Sequence, residues 1–437
     1  MGKKNSAYYI KLCKDFIYSE TTKAAYRTNS KYFIRNRKLP FEGLVLCMLK
    51  LLRSSLQLEL NRFFNSFKNG VNSFSSSAFV QSRKKLKPDL FFDLNQLIVK
   101  EYYENNKDEI KLYKGHRLLS IDGSTVHLPV TDELKEIYKT YRNQHTVDDL
   151  VIGRVSVLYD VLNELVLDGK LRPCEQGEIT LSRTHFQYLT KGDLLIADRA
   201  YPSFESAWLL DQQGVQFLFR CKTSFSHITQ AFFDSGEEQQ EVVIRPKSKR
   251  SFKGVKFSAN STLTVRLIRV ELSSTEVEIL MTSLTDTQKY PHEDFKELYF
   301  KRWPIETFYN RFKNIIGVEC FSGTSEQFIQ QEFNCALYMA SMQTILTEDA
   351  ENLVDQKYKH RKYQYKVNRS LSLGFIRDRL IDLYTTDKKT EVILKELQEL
   401  FLLNVIPVRP GRNNKRNVDK YRRRPKPKQF QNRRNLG

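Results

Sequence analysis

Leu118-Leu119-Ser120-Ile121-Asp122 is an apolar run that ends on a carboxylate, and Leu194-Leu195-Ile196-Ala197-Asp198 repeats the pattern later in the chain. Short apolar runs without helical spacing predict buried strands. A carboxylate closing such a strand is held rigidly yet faces solvent, as α/β active sites require. Strand-end aspartates are also frequent turn formers, so neither run alone assigns a function. Around them, Val151 to Tyr159 and Glu164 to Leu171 read as a hairpin about Leu162-Asn163. A helix is expected near Leu181 to Leu189, another from Pro202 to about Gln213, and a strand over Gln216 to Arg220. Strand, hairpin, helix, strand, helix, strand predicts a mixed α/β sheet with helices packed against it.

Further out, residues 222 to about 285 stay strand-rich, with Glu241 to Ile244, Leu263 to Glu271 and Val277 to Leu284 as strands. They read as a β insertion within the α/β unit. Helical patterning returns from Glu293 to about Ile316 and over 326–346, 370–385 and 390–403. The first 110 residues are helical in pattern. Phe41 to Phe67 is one long apolar-rich stretch started by Leu39-Pro40, and Ser75-Ser76-Ser77 can cap a helix from Ala78 to Leu86. That helix closes on Arg83-Lys84-Lys85, either a DNA-docking element or a solvated face on a packing helix. The tail from Pro407 to Gly437 holds twelve Lys+Arg against Asp419 alone and has too little apolar surface to order itself. The expected segments are therefore 1–110, a helical DNA-binding region; 111–221, the first part of an α/β core; 222–288, the β-rich insertion; 289–346, the last part of the core; 347–406, a helical region; and 407–437, a basic tail.

The 437 residues carry 71 Lys+Arg against 51 Asp+Glu, a net charge of +20. Such an excess favours a polyanionic partner, because each phosphate neutralised by Lys or Arg releases a counterion. No stretch approaches 18 uninterrupted apolar residues, and the best, Leu44 to Leu52, is broken by Lys50, so no membrane span is expected. Six scattered cysteines and seven dispersed histidines offer neither a disulfide frame nor zinc-ligand spacing. His127, His145 and His185 read as structural or solvent-exposed.

Glu306 joins the two aspartates as a third candidate, within the helical segment after the insertion. Two carboxylates about 4 Å apart repel by roughly 4 kcal/mol at an effective dielectric near 20. Acids brought together therefore call for divalent cations, and hard oxygen ligands select Mg²⁺ or Mn²⁺ over Zn²⁺. Tyr299, Arg302, Glu306 and Lys313 stand at i, i+3, i+7 and i+14, within roughly 60° of one another on an ideal helix. That face sets a metal ligand between two cations and a phenol, which suits holding a phosphate backbone over a metal site. The alternative is a plain surface ion pair between Arg302 and Glu306. Pro304 should kink the helix or restart it.

Tyr-x₂-Arg-x₃-Glu-x₆-Lys at Tyr299, Arg302, Glu306 and Lys313 resembles the signature of the fourth insertion-sequence family of bacterial DDE transposases. Ser120-Ile121-Asp122-Gly123-Ser124 resembles that family's first-aspartate motif, and Leu194 through Asp198-Arg199-Ala200-Tyr201-Pro202 its second. Arg37 to Phe41 and Ser77 to Leu86 are similar to its amino-terminal helical region, so the likeness runs from roughly residue 33 to 345. Ala200 stands where glycine is more usual. The resemblance implies an RNase H-like catalytic core interrupted by a β insertion, and two Mg²⁺ ions (Mn²⁺ as substitute) bound by Asp122, Asp198 and Glu306. It implies double-stranded DNA as partner, both terminal inverted repeats and target. Tyr299, Arg302 and Lys313 would hold phosphates and a displaced base; apart from the resemblance, the basic end of the Ala78 to Leu86 helix offers Arg83, Lys84 and Lys85 as further DNA contacts. A homodimer on paired ends and a cytoplasmic, nucleoid-associated bacterial location follow from the same resemblance.

The competing readings are a DNA-binding descendant that no longer cuts and another RNase H-like nuclease. The first has no physical need of all three acids and their flanking cations; the second does not need the Tyr-Arg-Glu-Lys face. Arg199 reads as charge balance or a DNA contact, and Trp303 and Tyr201 as core aromatics or base-stacking groups.

Overall fold

The computed structural model describes residues 4–35, 37–51, 55–68, 74–141, 149–246, 257–258, 260–273, 276–386 and 390–409. His145 and the tail beyond 409 lie outside them. The chain forms two compact units: 1–109, 125–153 and 310–437 make the first, and 110–124 with 154–309 the second. This division differs from the six consecutive segments expected above.

Nine strands belong to one large sheet: β1 (Leu118–Leu128), β2 (Thr140–Tyr141), β3 (Leu150–Asp160), β4 (Leu165–Pro173), β5 (Leu194–Ala197), β6 (Gln216–Cys221), β7 (Gln239–Ile244), β8 (Leu263–Ser273) and β9 (Glu276–Thr282). In the second unit the order runs β3-β1-β5-β6-β9-β8-β7, with β4 paired to β3. β5 lies parallel to both β1 and β6. All four residues of β5 are buried, as expected of a parallel strand covered on both faces. The helix Phe204–Gln212 packs on β6, and Asp294–Phe300 on β8. The fold is thus mixed α/β.

One expectation changes here. β1 does not stop at Asp122 but continues to Leu128, because Val126 and Leu128 restore the alternating burial of a strand. The strand-rich stretch extends this sheet: β9 pairs antiparallel with β6, and β8 and β7 follow outward. It also contains a helix, His227–Ser235, closed at its start by a reciprocal Ser226–Thr229 capping box.

The first unit is helical, apart from the end of β1, β2 with the start of β3, and a small pair, β10 (Gln364–Val367) and β11 (Val405–Val408). Pro407 and Val408, expected in the tail, belong to β11. A 32-residue helix, Glu326–Lys357, packs against Asp89–Asn105, with Arg369–Thr385 and Thr390–Leu403 beside it. Phe41 to Phe67 forms two helices, Phe41–Leu49 and Leu56–Lys68. The first ends where Leu51 takes a positive φ of 50°, a conformation that cannot continue a helix. Among the described residues no helix is long and apolar enough to cross a membrane.

Candidate active site

Asp122 and Asp198 owe their proximity to strand register. β1 and β5 align Leu118 with Leu194 and Ile121 with Ala197, so Asp122 on β1 and Asp198 just past β5 are the next residues along two adjacent parallel strands. Neighbouring strands lie about 4.8 Å apart. Each carboxylate accepts the N–H of the residue after it: Gly123 N–H to Asp122 Oδ1 at 2.9 Å and Arg199 N–H to Asp198 Oδ1 at 2.6 Å. These bonds limit the side-chain rotamers. Tyr309 Oη donates to the Asp122 carbonyl at 2.6 Å and anchors the strand there.

The segment carrying Glu306 is not one regular helix. Asp294–Phe300 ends, a turn follows, and a second helix begins with Pro304 at its first position, where the missing N–H costs nothing. The last turn, Phe312–Ile316, widens to a π-helix closed by Gly317 at φ 72°. The ideal-helix face expected for Tyr299, Arg302, Glu306 and Lys313 is therefore broken. Three of the four still converge. Arg302 Nη2 lies 2.6 Å from Glu306 Oε1, and Arg302 Nη1 lies 3.9 Å from Asp122 Oδ2. Tyr299 Oη donates to Asp198 Oδ1 at 3.3 Å, and the Arg302 guanidinium stands 5.7 Å from the centre of the Tyr299 ring. The three acids are thus linked through Arg302 and Tyr299. Lys313 belongs to the other unit, where its ammonium donates to the Thr125 carbonyl at 2.6 Å and burial lowers its pKa.

Burial raises the Asp122 pKa to about 6; the Gly123 N–H and Arg302 oppose the rise, and the negative charges of Glu306 and Glu178 add to it. Burial likewise raises the Tyr299 hydroxyl to about 12, so it is a hydrogen-bond donor at neutral pH. Two residues that sequence reasoning missed complete the surroundings. Arg220, on β6, lies 3.6 Å from Asp198 Oδ1 and is also paired with Glu278. Glu178 accepts from Tyr201 Oη at 2.8 Å. Neither had a local signal, since each is one charged residue among many until the sheet forms. Tyr201 is 4% exposed, a core aromatic rather than a free stacking surface. Trp303 is the reverse, at 55% exposure.

Arg83 requires correction as a DNA contact. It is 1% exposed, with Nε on Gln331, Nη1 on Ser322 and Glu332, and Nη2 on the Phe328 carbonyl. Its charge is spent inside the first unit. Lys84 is exposed and Lys85 half-buried, 5.5 Å from the Tyr32 ring centre. His185 is fully buried between Asp168 and Ser156, and His127 is exposed.

The donor set of Asp122, Asp198 and Glu306 is hard oxygen, with side chains 22%, 32% and 25% exposed, and so accessible to a hydrated ion. That chemistry fits Mg²⁺ or Mn²⁺. Among the described residues no three His, Cys, Asp or Glu already stand close enough together to hold an ion. The Arg302 guanidinium, in ion-pair range of two of these acids, supplies positive charge in that place.

The family model described as the transposase DDE domain matches residues 113–341, just over half of the chain. The transposase for insertion sequence element IS231C of Bacillus thuringiensis subsp. berliner is 24% identical over 301 residues, covering 57% of this chain and 60% of that protein. The IS231F transposase of B. thuringiensis subsp. israelensis is 21% identical over 297 residues, with the same shares. The transposase InsG for insertion sequence element IS4 of Escherichia coli (strain K12) is 22% identical over 291 residues, 64% of this chain and 63% of that one. The matches thus span somewhat under two thirds of these relatives' own length. A solved structure of the piggyBac transposase synaptic complex with hairpin DNA aligns over 95% of this chain and 89% of its own at 9% identity, with a TM-score of 0.43. The family match, with the IS4 and IS231 transposases as relatives, makes this chain a member of the DDE transposase family.

Proposed function

We propose that this chain is a DNA transposase that uses divalent metal ions to cleave DNA at the ends of its insertion sequence and join them to a target. The observation that carries the reading is the parallel register of β1 and β5, which sets Asp122 beside Asp198, with Arg302 joining Asp122 to Glu306. The mixed sheet, with β1, β5 and β6 parallel at its centre and the β3–β4 pair to one side, supports an RNase H-like core extended by β7 to β9.

The DDE transposase family generally uses divalent metal. Asp122, Asp198 and Glu306 would hold it, here Mg²⁺ with Mn²⁺ as substitute. When bound, such ions activate a water or a 3′-hydroxyl and stabilise the leaving oxygen of an in-line phosphoryl transfer. The chain's own residues position the rest. The N–H groups of Gly123 and Arg199 orient the aspartates, Tyr299 steadies Asp198, and Arg302 balances Asp122 and Glu306 until a phosphate competes for it. Lys313, Lys84 and Lys85 are proposed DNA contacts, the terminal inverted repeats and target duplex are the substrates, and a homodimer on paired ends is the working assembly.

The test is incubation with DNA carrying the flanks of its own gene, with and without Mg²⁺. Metal-dependent cuts at defined ends are expected from the native chain. Asp122→Ala, Asp198→Ala and Glu306→Gln should abolish them while DNA binding persists. Cutting retained in any one variant removes that residue from the site. Binding without cleavage by the native chain favours the non-catalytic reading.

A further inference from the structure

Glu178 is a fourth acid in the same unit, and its placement is tightly specified. A Cβ added to Gly123 would stand 2.2 Å from Glu178 Oε1 and 3.3 Å from Tyr201 Oη, so the carboxylate packs directly on the backbone that follows Asp122. The same oxygen accepts from Tyr201, whose N–H in turn bonds the Asp198 carbonyl at 3.0 Å. Glu178 thus touches the residue after the first aspartate and is held by the turn after the second. The short helix it opens, Glu178–Arg183, is anchored at its far end. Arg183 bonds Ser206 at 3.1 Å and Ser203 at 2.9 Å, and His185 is locked between Asp168 at 2.7 Å and Ser156 at 2.9 Å. A carboxylate this well fixed beside another acid gains one phenol bond and incurs like-charge repulsion. That trade suits a pocket built to receive positive charge.

We propose that Glu178 is a positioning residue of the acidic pocket, wedged between the two aspartate turns, whose negative charge strengthens the pocket's hold on a divalent cation. The inference rests on the pocket being a metal-dependent active site. Glu178→Gln keeps the size of the side chain and an oxygen for Tyr201 but removes the charge, which separates electrostatics from packing. Mn²⁺ titration of the full chain without DNA, followed by electron paramagnetic resonance, should show affinity lowered about 5-fold, the scale of one charge acting on a divalent ion across a solvated pocket. Metal-free DNA affinity and the unfolding midpoint should not fall, since the lost charge repels Asp122. Gly123→Ala provides a second route, since its methyl group displaces the carboxylate without deleting it, and it should weaken Mn²⁺ binding in the same direction. Native Mn²⁺ affinity in Glu178→Gln overturns the proposal. If Mn²⁺ binding is lost in Asp122→Asn and Asp198→Asn all the same, the active-site reading survives that result. No Mn²⁺ binding by the native chain overturns both.

Discussion

Asp122 shows at the scale of one residue what burial does to a carboxylate. Its carboxyl is raised from 3.8 to about 6 by burial, with Glu306 and Glu178 adding to the rise. The folded state therefore holds a proton that the unfolded state has already released between these two values. Stability contributed by this group is present below about pH 4 and lost as pH rises through 6. Asp122→Asn should accordingly stabilise the metal-free protein at pH 7.5 by up to about 2–3 kcal/mol, and change little at pH 4. Denaturant unfolding at the two pH values reads this directly; equal effects at both would refute it. Arg302 makes the complementary case. Removing its cation from beside Asp122 and Glu306 should raise Mn²⁺ affinity of the DNA-free protein by about 5-fold while lowering cleavage. A variant with weaker metal binding would show that Arg302 organises the acids rather than competing with the ion.

Elements decide which charges are available. The helix Ser76–Arg83 is capped by Ser75, whose hydroxyl accepts from Ala78 N–H at 3.2 Å, and its last residue is driven into the core of the first unit. Arg83→Ala would leave Glu332 without its buried partner and should cost about 3–5 kcal/mol. Lys84→Ala, one residue on and exposed, should change stability by no more than about 0.5 kcal/mol. If Lys84 contacts a phosphate, the salt dependence of DNA binding falls by about one counterion. Similar unfolding midpoints for the two variants would mean that the buried network around Arg83 contributes nothing. The break at Pro304 matters equally: the turn Lys301–Trp303 swings Arg302 to where it meets both Asp122 and Glu306.

For the molecule as a whole, charge is distributed between structure and recognition. Of the +20 excess, much lies beyond residue 409, where 410–437 hold eleven Lys+Arg against one Asp. Deleting 410–437 should lower non-specific DNA affinity and flatten its salt dependence by several counterions, with end cleavage reduced less. Binding measured across a salt series, beside a cleavage assay, separates the two effects. A folded truncation that binds normally but cannot cut would assign the tail a catalytic role instead.

What the amino-acid order determined unaided was local. The strand leading into Asp122, the one ending before Asp198, the α/β alternation around them, and the Tyr299, Arg302, Glu306, Lys313 spacing are all written in neighbouring residues, because apolar period and side-chain type are short-range properties. Tertiary structure alone decided the rest. It set Ile121 against Ala197, joined β9 to β6 so that the insertion extended the central sheet, and brought Glu178 onto Gly123. It also buried Arg83, expected as a DNA contact, against Gln331, 248 positions away. A charge and its eventual partner carry no mark of each other in the chain. Only the packing that brings them together settles whether a cation is spent inside the fold or left exposed.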